Sequence, residues 1–437
     1  MTKRHGYALL AAIIAVIVAV SAAIYVGVAS DDGAETTVPD GRGPNNPAAP
    51  ASVGTWVGAW SASPAGPEPG TEVNGMAGRS VRNVVHVGVG GSAARITLSN
   101  LYGQQPLGIT RASVAVADGS DGAAAQAGTM RRLTFNGRPS VVVPAGQQVV
   151  SDAVRLPVPH DTDVLVTTYS PTPSGPVTYH PQARQISYTA EGDRTEDVSG
   201  VAYTGQTPYW RYVTAVDVLS NEAEGTVVVI GDSLTDGSTS TVGENRRWTD
   251  VLSDRLRAGE GPRYSVVNQG ISGNRVLSSG LGRPAENPSG LVRFQRDVLG
   301  RPNVRAVVIA LGVNDILRTP HETDARRITD GLRELRRMAH ARGLRVVGVT
   351  LMPFQGHRGY RPHLEDTRQA VNARIRSGEV FDAYADFDKA LRDPYSPRRL
   401  RSHYDSGDHL HPSDAGYERM AEIFDVDDLK GAAPAQL

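Results

Sequence analysis

From Glu224 onward, short apolar runs rich in β-branched residues alternate with amphipathic stretches of helix length, and this alternation restricts the fold more than any other feature of the chain. The runs 226–230, 264–268, 304–312 and 344–353, with a shorter one near 380–384, read as strands. Between them, 247–258 sets Trp248, Val251, Leu252 and Leu256 on one helical face, and 324–343 does the same with Ile328, Leu332, Leu335 and Met338. A further helix is expected around 364–376, and 413–424 closes the chain. Strands that are apolar throughout must be covered on both sides, which implies a parallel sheet inside a three-layer α/β/α fold. In a flavodoxin-like strand order the topological switch point falls beside Gly231, and open α/β sheets bind ligands at such points.

The preceding part reads differently. Residues 54–218 show short period-2 strands separated by turn residues and no helix-length repeat, which predicts a β-sandwich of jelly-roll type. Asn136-Gly137, between the runs 131–135 and 138–143, is a strong hairpin signal. The stretch 88–93, GVGGSA, loosely fits a dinucleotide-binding pattern, but a strand rather than a helix follows it, so it reads as a turn.

The N-terminus has the pattern of an export segment. Lys3 and Arg4 precede an uncharged stretch from Tyr7 to Ala29, and Asp31, Asp32 and Glu35 follow, an asymmetry that keeps the N-terminus inside. The stretch is longer than an ordinary signal h-region, which favours an uncleaved membrane anchor, although Gly27-Val28-Ala29 offers a cleavage site. Residues 1–29 are thus the anchor or signal, 30–53 a Pro/Gly-rich tether, and 224–430 the second folded domain. The expected location is extracytoplasmic, with membrane contact only through the N-terminal segment. The net charge of −1, with acidic and basic residues interleaved, argues against a nucleic-acid partner. The absence of cysteine excludes disulfides, thiolate metal sites and a cysteine nucleophile.

Four stretches carry chemistry. The first strand ends in Gly231-Asp232-Ser233-Leu234; the second leads into Gly270-Ile271-Ser272-Gly273-Asn274. The third ends in Gly312-Val313-Asn314-Asp315, and Asp408 stands three residues before His411, just ahead of the last helix. A serine hydroxyl needs an adjacent base to become a nucleophile, and a histidine held by a carboxylate can take and return its proton. The oxyanion of an acyl-transfer intermediate needs preset N–H donors, which a glycine loop and an asparagine amide can offer. Asp315 reads as a turn residue capping local amides, His409 as a supporting or surface residue, and Trp248 as core.

These stretches, in this order over roughly residues 224–430, resemble the blocks of the SGNH, or GDSL, hydrolase superfamily. The resemblance implies Ser233 as nucleophile, His411 as general base and Asp408 as its partner. It implies an oxyanion hole made of the N–H groups of Ser233 and Gly273 and the side-chain amide of Asn314. The segment 55–64, TWVGAWSASP, with the β-rich region looks similar to an exported actinobacterial, acetylxylan-esterase-like branch. No serine has glycine at both −2 and +2, which disfavours an ordinary α/β-hydrolase elbow. A metal hydrolase built on Asp408, His409 and His411 lacks a completing motif, so no metal or organic cofactor is expected. The expected function is an exported serine esterase acting on O-acyl, above all acetyl, esters of a small molecule or polysaccharide. A lipase or longer-chain carboxylesterase, an O-acyltransferase, and a glycan-binding surface protein with a silent hydrolase domain are the alternatives.

Overall fold

A computed structural model of the chain describes residues 54–119, 122–280 and 287–432. The expected anchor and tether lie outside these residues. No helix among the described residues is long and apolar enough to cross a membrane. The described residues all belong to one compact unit.

Five parallel strands organise the α/β region: β1 (Gly225–Gly231), β2 (Tyr264–Gly270), β3 (Val304–Ala310), β4 (Arg345–Val349) and β5 (Ala383–Ala385). Their spatial order is β2-β1-β3-β4-β5, so β1 is flanked by β2 and β3, and the switch point lies at its C-terminal end. The helices are α1 (Ser233–Asp236), α2 (Trp248–Arg257), α3 (Gly290–Phe294), α4 (Val313–Leu317), α5 (Ala325–His340), α6 (Pro362–Arg376), α7 (Phe387–Leu391) and α8 (Asp414–Glu422). The period-2 geometry of the strands divides their apolar residues between two cores. Val228, Ile230, Val307 and Ile309 pack with Phe294, Ile328, Leu332, Leu335, Val371 and Ile375 on one face. Val227, Val229, Ala306 and Val308 pack with Trp248, Leu252, Phe387, Tyr417 and Met420 on the other. Strands apolar on both sides and helices with one apolar stripe therefore reach the same solution. Helix α3, continued by a π-helical turn over Gln295–Leu299, was not anticipated, because Arg293, Arg296 and Asp297 interrupt its apolar pattern.

The strand-rich region is antiparallel throughout. One sheet joins Thr55–Ser61, Val213–Ser220, Gly91–Ser99 and Val154–Val158, and a six-stranded sheet centres on Arg79–Val87 and Thr162–Ser170. Val57, Ile96, Leu98, Val216 and Val218 from the first share a single apolar core with Val85, Val114, Val164 and Val166 from the second. The hairpin expected at Asn136-Gly137 needs correcting. Both residues turn with positive φ, 52° and 75°, but only Phe135 and Arg138 pair across the turn. Arg131–Arg132 pairs with the strand Arg111–Val116, and Val141–Val143 with Leu107–Ile109. The turn chemistry was legible, but longer-range packing claimed the flanking strands.

Candidate active site

Ser233 opens α1 directly after β1, and Asp232 caps that helix by accepting from the Leu234 N–H at 3.0 Å. His411 and Asp408 come from the loop ahead of α8. That loop is pinned to the segment after α1 by Thr239 Oγ1 donating to the Pro412 carbonyl (2.7 Å) and the Thr241 N–H donating to Asp414 (3.0 Å). The result is a linear array: Ser233 Oγ lies 2.8 Å from His411 Nε2, and His411 Nδ1 lies 2.6 Å from Asp408 Oδ2. Asp408 as a carboxylate can only accept, so Nδ1 carries hydrogen and Nε2 presents its lone pair to the serine hydroxyl. Burial works to raise the Asp408 pKa, but the bonds from the His411 ring and from the N–H groups of His411 and Leu410 outweigh it and hold the carboxyl well below the usual range. A permanently charged partner favours an imidazole that must become an imidazolium.

The three expected oxyanion donors stand just beyond the C-terminal ends of three neighbouring strands, β1, β2 and β3. The N–H groups of Ser233 and Gly273 find no acceptor among the described residues. Gly273 sits at φ +79°, and a Cβ there would lie 2.4 Å from Arg318 Nη2, so only glycine fits this turn without displacement. Asn314 lies in the first turn of α4; its Nδ2 donates to Asp232 Oδ2 (3.2 Å), and its Oδ1 accepts from Arg318 Nε (3.0 Å). Arg318 thereby fixes which end of the amide points toward Asp232, a role the sequence reading did not assign.

Two acids beside the site are perturbed by burial. Asp232 is pushed up to about 7, against the bonds it accepts from Leu234 and Asn314. Asp315 is pushed up to about 6, against the bonds it accepts from Val276 (2.8 Å) and Leu277 (3.0 Å). The latter corrects the expectation of local capping: Asp315 ties α4 to the chain beyond the Gly273 turn, not to its own loop. His409 is bonded to Asp405 at 2.6 Å and half exposed, and Trp248 is fully buried, as core.

Other groups at the site had no sequence signal at all. Arg293, on the unanticipated helix, is buried and donates to the carbonyls of Gly231 (2.9 Å) and Gln269 (2.7 Å) and to Asn274 Oδ1 (3.0 Å). It thus ties together the C-terminal ends of β1 and β2 and the loop that follows β2. From the strand-rich region, Ser63 and His180 reach the same place, although nothing in their local sequence suggests it.

Residues 229–419 match the sequence model of the GDSL-like lipase/acylhydrolase family, a span that contains every expected site residue. No curated protein matches the chain. Solved structures similar to it include an alpha/beta hydrolase enzyme from the metagenome of Lake Arreo, Spain, at 23% identity, covering 46% of this chain and 93% of that one with a TM-score of 0.36. A GDSL-like lipase from Bacteroides thetaiotaomicron is 20% identical over 46% of this chain and 85% of its own, with a TM-score of 0.34. A carbohydrate acetylesterase from Sinorhizobium meliloti is 17% identical over 45% and 94%, with a TM-score of 0.35. The matched span lies within the α/β region, which is similar to the GDSL-like acylhydrolases, and the chain is an enzyme of the serine-hydrolase kind that acts on carboxylic ester bonds.

Proposed function

We propose that this acylhydrolase is an exported esterase that removes short acyl groups, acetyl above all, from a carbohydrate. The observation that carries the chemistry is the Ser233–His411–Asp408 array, with distances of 2.8 and 2.6 Å. Ser233 Oγ attacks the ester carbonyl while His411 Nε2 takes its proton. The oxyanion is held by the N–H groups of Ser233 and Gly273 and by the Asn314 amide. His411 returns the proton to the departing alcohol, leaving an acyl-serine, and then takes a proton from the water that releases the acid. Asp408 keeps the ring oriented and stabilises its charged form.

Export rests on the charge asymmetry around residues 7–29, and the carbohydrate on the resemblance of segment 55–64 to an acetylxylan-esterase-like branch. In this reading the strand-rich region, 54–218, is a β-sandwich of jelly-roll type that precedes the hydrolase domain, 224–430. The test is an acyl-chain series of p-nitrophenyl esters from acetate to palmitate, run beside acetylated xylan with the Ser233→Ala protein as blank. Fastest turnover of acetate with acetate released from xylan supports the reading. A rising rate with chain length makes the protein a lipase, and xylan binding without Ser233-dependent turnover overturns the enzymatic assignment. Cell fractionation of the full chain in an exporting bacterium tests location.

A further inference from the structure

We infer that the strand-rich region completes the catalytic centre, with His180 acting as a positioning residue for the oxyanion hole through Asp236. The inference rests on the esterase reading above and goes beyond it, because that reading leaves residues 54–218 without a role in catalysis.

Asp236 is the last residue of α1, three after Ser233, and is buried. Its Oδ2 accepts from both the N–H (2.9 Å) and the Oγ (2.7 Å) of Ser272. Ser272 directly precedes Gly273, and its carbonyl belongs to the peptide group that carries the Gly273 N–H. That carbonyl accepts in turn from Asn287 Nδ2 at 3.2 Å. One carboxylate therefore sets the separation between the helix of the nucleophile and the turn that presents an oxyanion donor. Its other oxygen, Oδ1, is met by His180 Nε2 at 2.8 Å, and His180 Nδ1 donates to the Ser63 carbonyl at 2.8 Å. Both ring nitrogens thus face acceptors, and the ring is wedged between the two regions.

Ser63 closes the arrangement from the other side. Its Oγ accepts from Arg293 Nη1 at 2.9 Å and lies 2.8 Å from Asp297 Oδ2, while Arg293 holds the carbonyls of Gly231 and Gln269. Ser63, His180, Asp236 and Arg293 are each no more than 3% exposed, so water does not readily replace a missing member. Removing the His180 donor leaves Asp236 Oδ1 buried without its partner, and the carboxylate is then free to turn away from Ser272. A displacement of about 1 Å in a reacting or stabilising group can cost up to ~10²-fold in rate.

The test uses the full chain, with p-nitrophenyl acetate as substrate and an arylboronic acid as transition-state analogue. His180→Gln can place an amide N–H where Nε2 meets Asp236; His180→Asn can place one only where Nδ1 meets Ser63. With folding checked by circular dichroism, His180→Asn and His180→Ala are expected to lower kcat and kcat/KM together by about 10- to 100-fold and to weaken boronate binding in parallel, with His180→Gln largely restoring both. A role confined to packing predicts a lower melting temperature in all three variants with kcat per folded molecule unchanged, and that result overturns the inference. If His180→Ala does not fold, the contrast between Gln and Asn decides. Absence of Ser233-dependent turnover in the wild-type chain would refute the esterase reading itself. Turnover that persists at the wild-type rate in His180→Asn refutes only this inference.

Discussion

The α/β region and the strand-rich region meet beside the catalytic array and bring different kinds of group to it. The first contributes Ser233, His411 and Asp408, of which the Asp408 side chain is 44% exposed. The second contributes Ser63 and His180, both shut away from solvent and bonded to backbone or to other buried side chains. The imidazole that exchanges protons with substrate and water needs access, and the His411 side chain is 18% exposed against 4% for His180. A buried positioning bond gains from having no water to compete with it. The division of labour follows from burial rather than from residue type: His411 and His180 are both histidines bonded to an aspartate.

The contrast is broken most severely at the nucleophile. Ser233→Ala should lower kcat by about a millionfold while leaving the melting temperature near that of the wild type, as measured by ester turnover and thermal unfolding. Residual turnover well above that level would mean that the reacting groups are not confined to the α/β region. Asn314→Ala is next. Loss of one oxyanion donor typically costs about 10²–10³ in kcat, and a wild-type rate in a folded protein would remove Asn314 from the hole.

The two regions also differed in how far their sequences disclosed them. Continuous apolar strands and striped helices follow from local periodicity, so the parallel sheet and the positions of Ser233, Gly273, Asn314, Asp408 and His411 at strand ends and before α8 were legible. The strand-rich region disclosed only that it was β. The pairing of Arg131–Arg132 and Val141–Val143 with distant strands, and the arrival of His180 beside Asp236, depend on contacts across 17 or more residues, and for His180 across 56. Period-2 alternation says which face is buried and not what that face meets. Helix α3 was missed for a related reason: Arg293 looks like a surface residue until its five acceptors are assembled by the fold.

Two acids near the serine sharpen the contrast through pH. Asp232 is buried and its pKa is raised to about 7, so its contribution to stability is fully present below the unfolded value of about 4 and is lost as pH rises through 7. Asp408 is lowered, so its contribution is present above that unfolded value and lost as pH falls through the folded one. Denaturant unfolding between pH 4 and 8 should therefore show Asp232→Asn flattening part of the decline toward high pH, by an amount on the order of a few kcal/mol. Asp315, raised to about 6, leaves a residual slope of the same sign. A wild-type slope in Asp232→Asn would mean that this carboxyl is better solvated than its burial indicates.

The smallest change addresses the contact between the regions itself. Gly58, in the strand Thr55–Ser61, donates its N–H to Thr226 Oγ1 at 3.1 Å, and a Cβ added there would lie 2.9 Å from Val267 Cγ1 in β2. Val267 is buried and β-branched, so its methyl cannot easily swing aside, and the strand must back away instead. Overpacking of this kind costs about 1–3 kcal/mol, which predicts a lower melting temperature for Gly58→Ala. Gly58 itself bonds neither His180 nor Asp236, so kcat per folded molecule should stay at the wild-type value. Gly58→Ala and His180→Asn then disturb the same pair of regions with opposite readouts, one in stability and one in rate. If both lowered stability alone, the strand-rich region would be a support for the hydrolase fold; if both lowered kcat, the whole contact rather than the His180–Asp236 bond would set the geometry of the oxyanion turn.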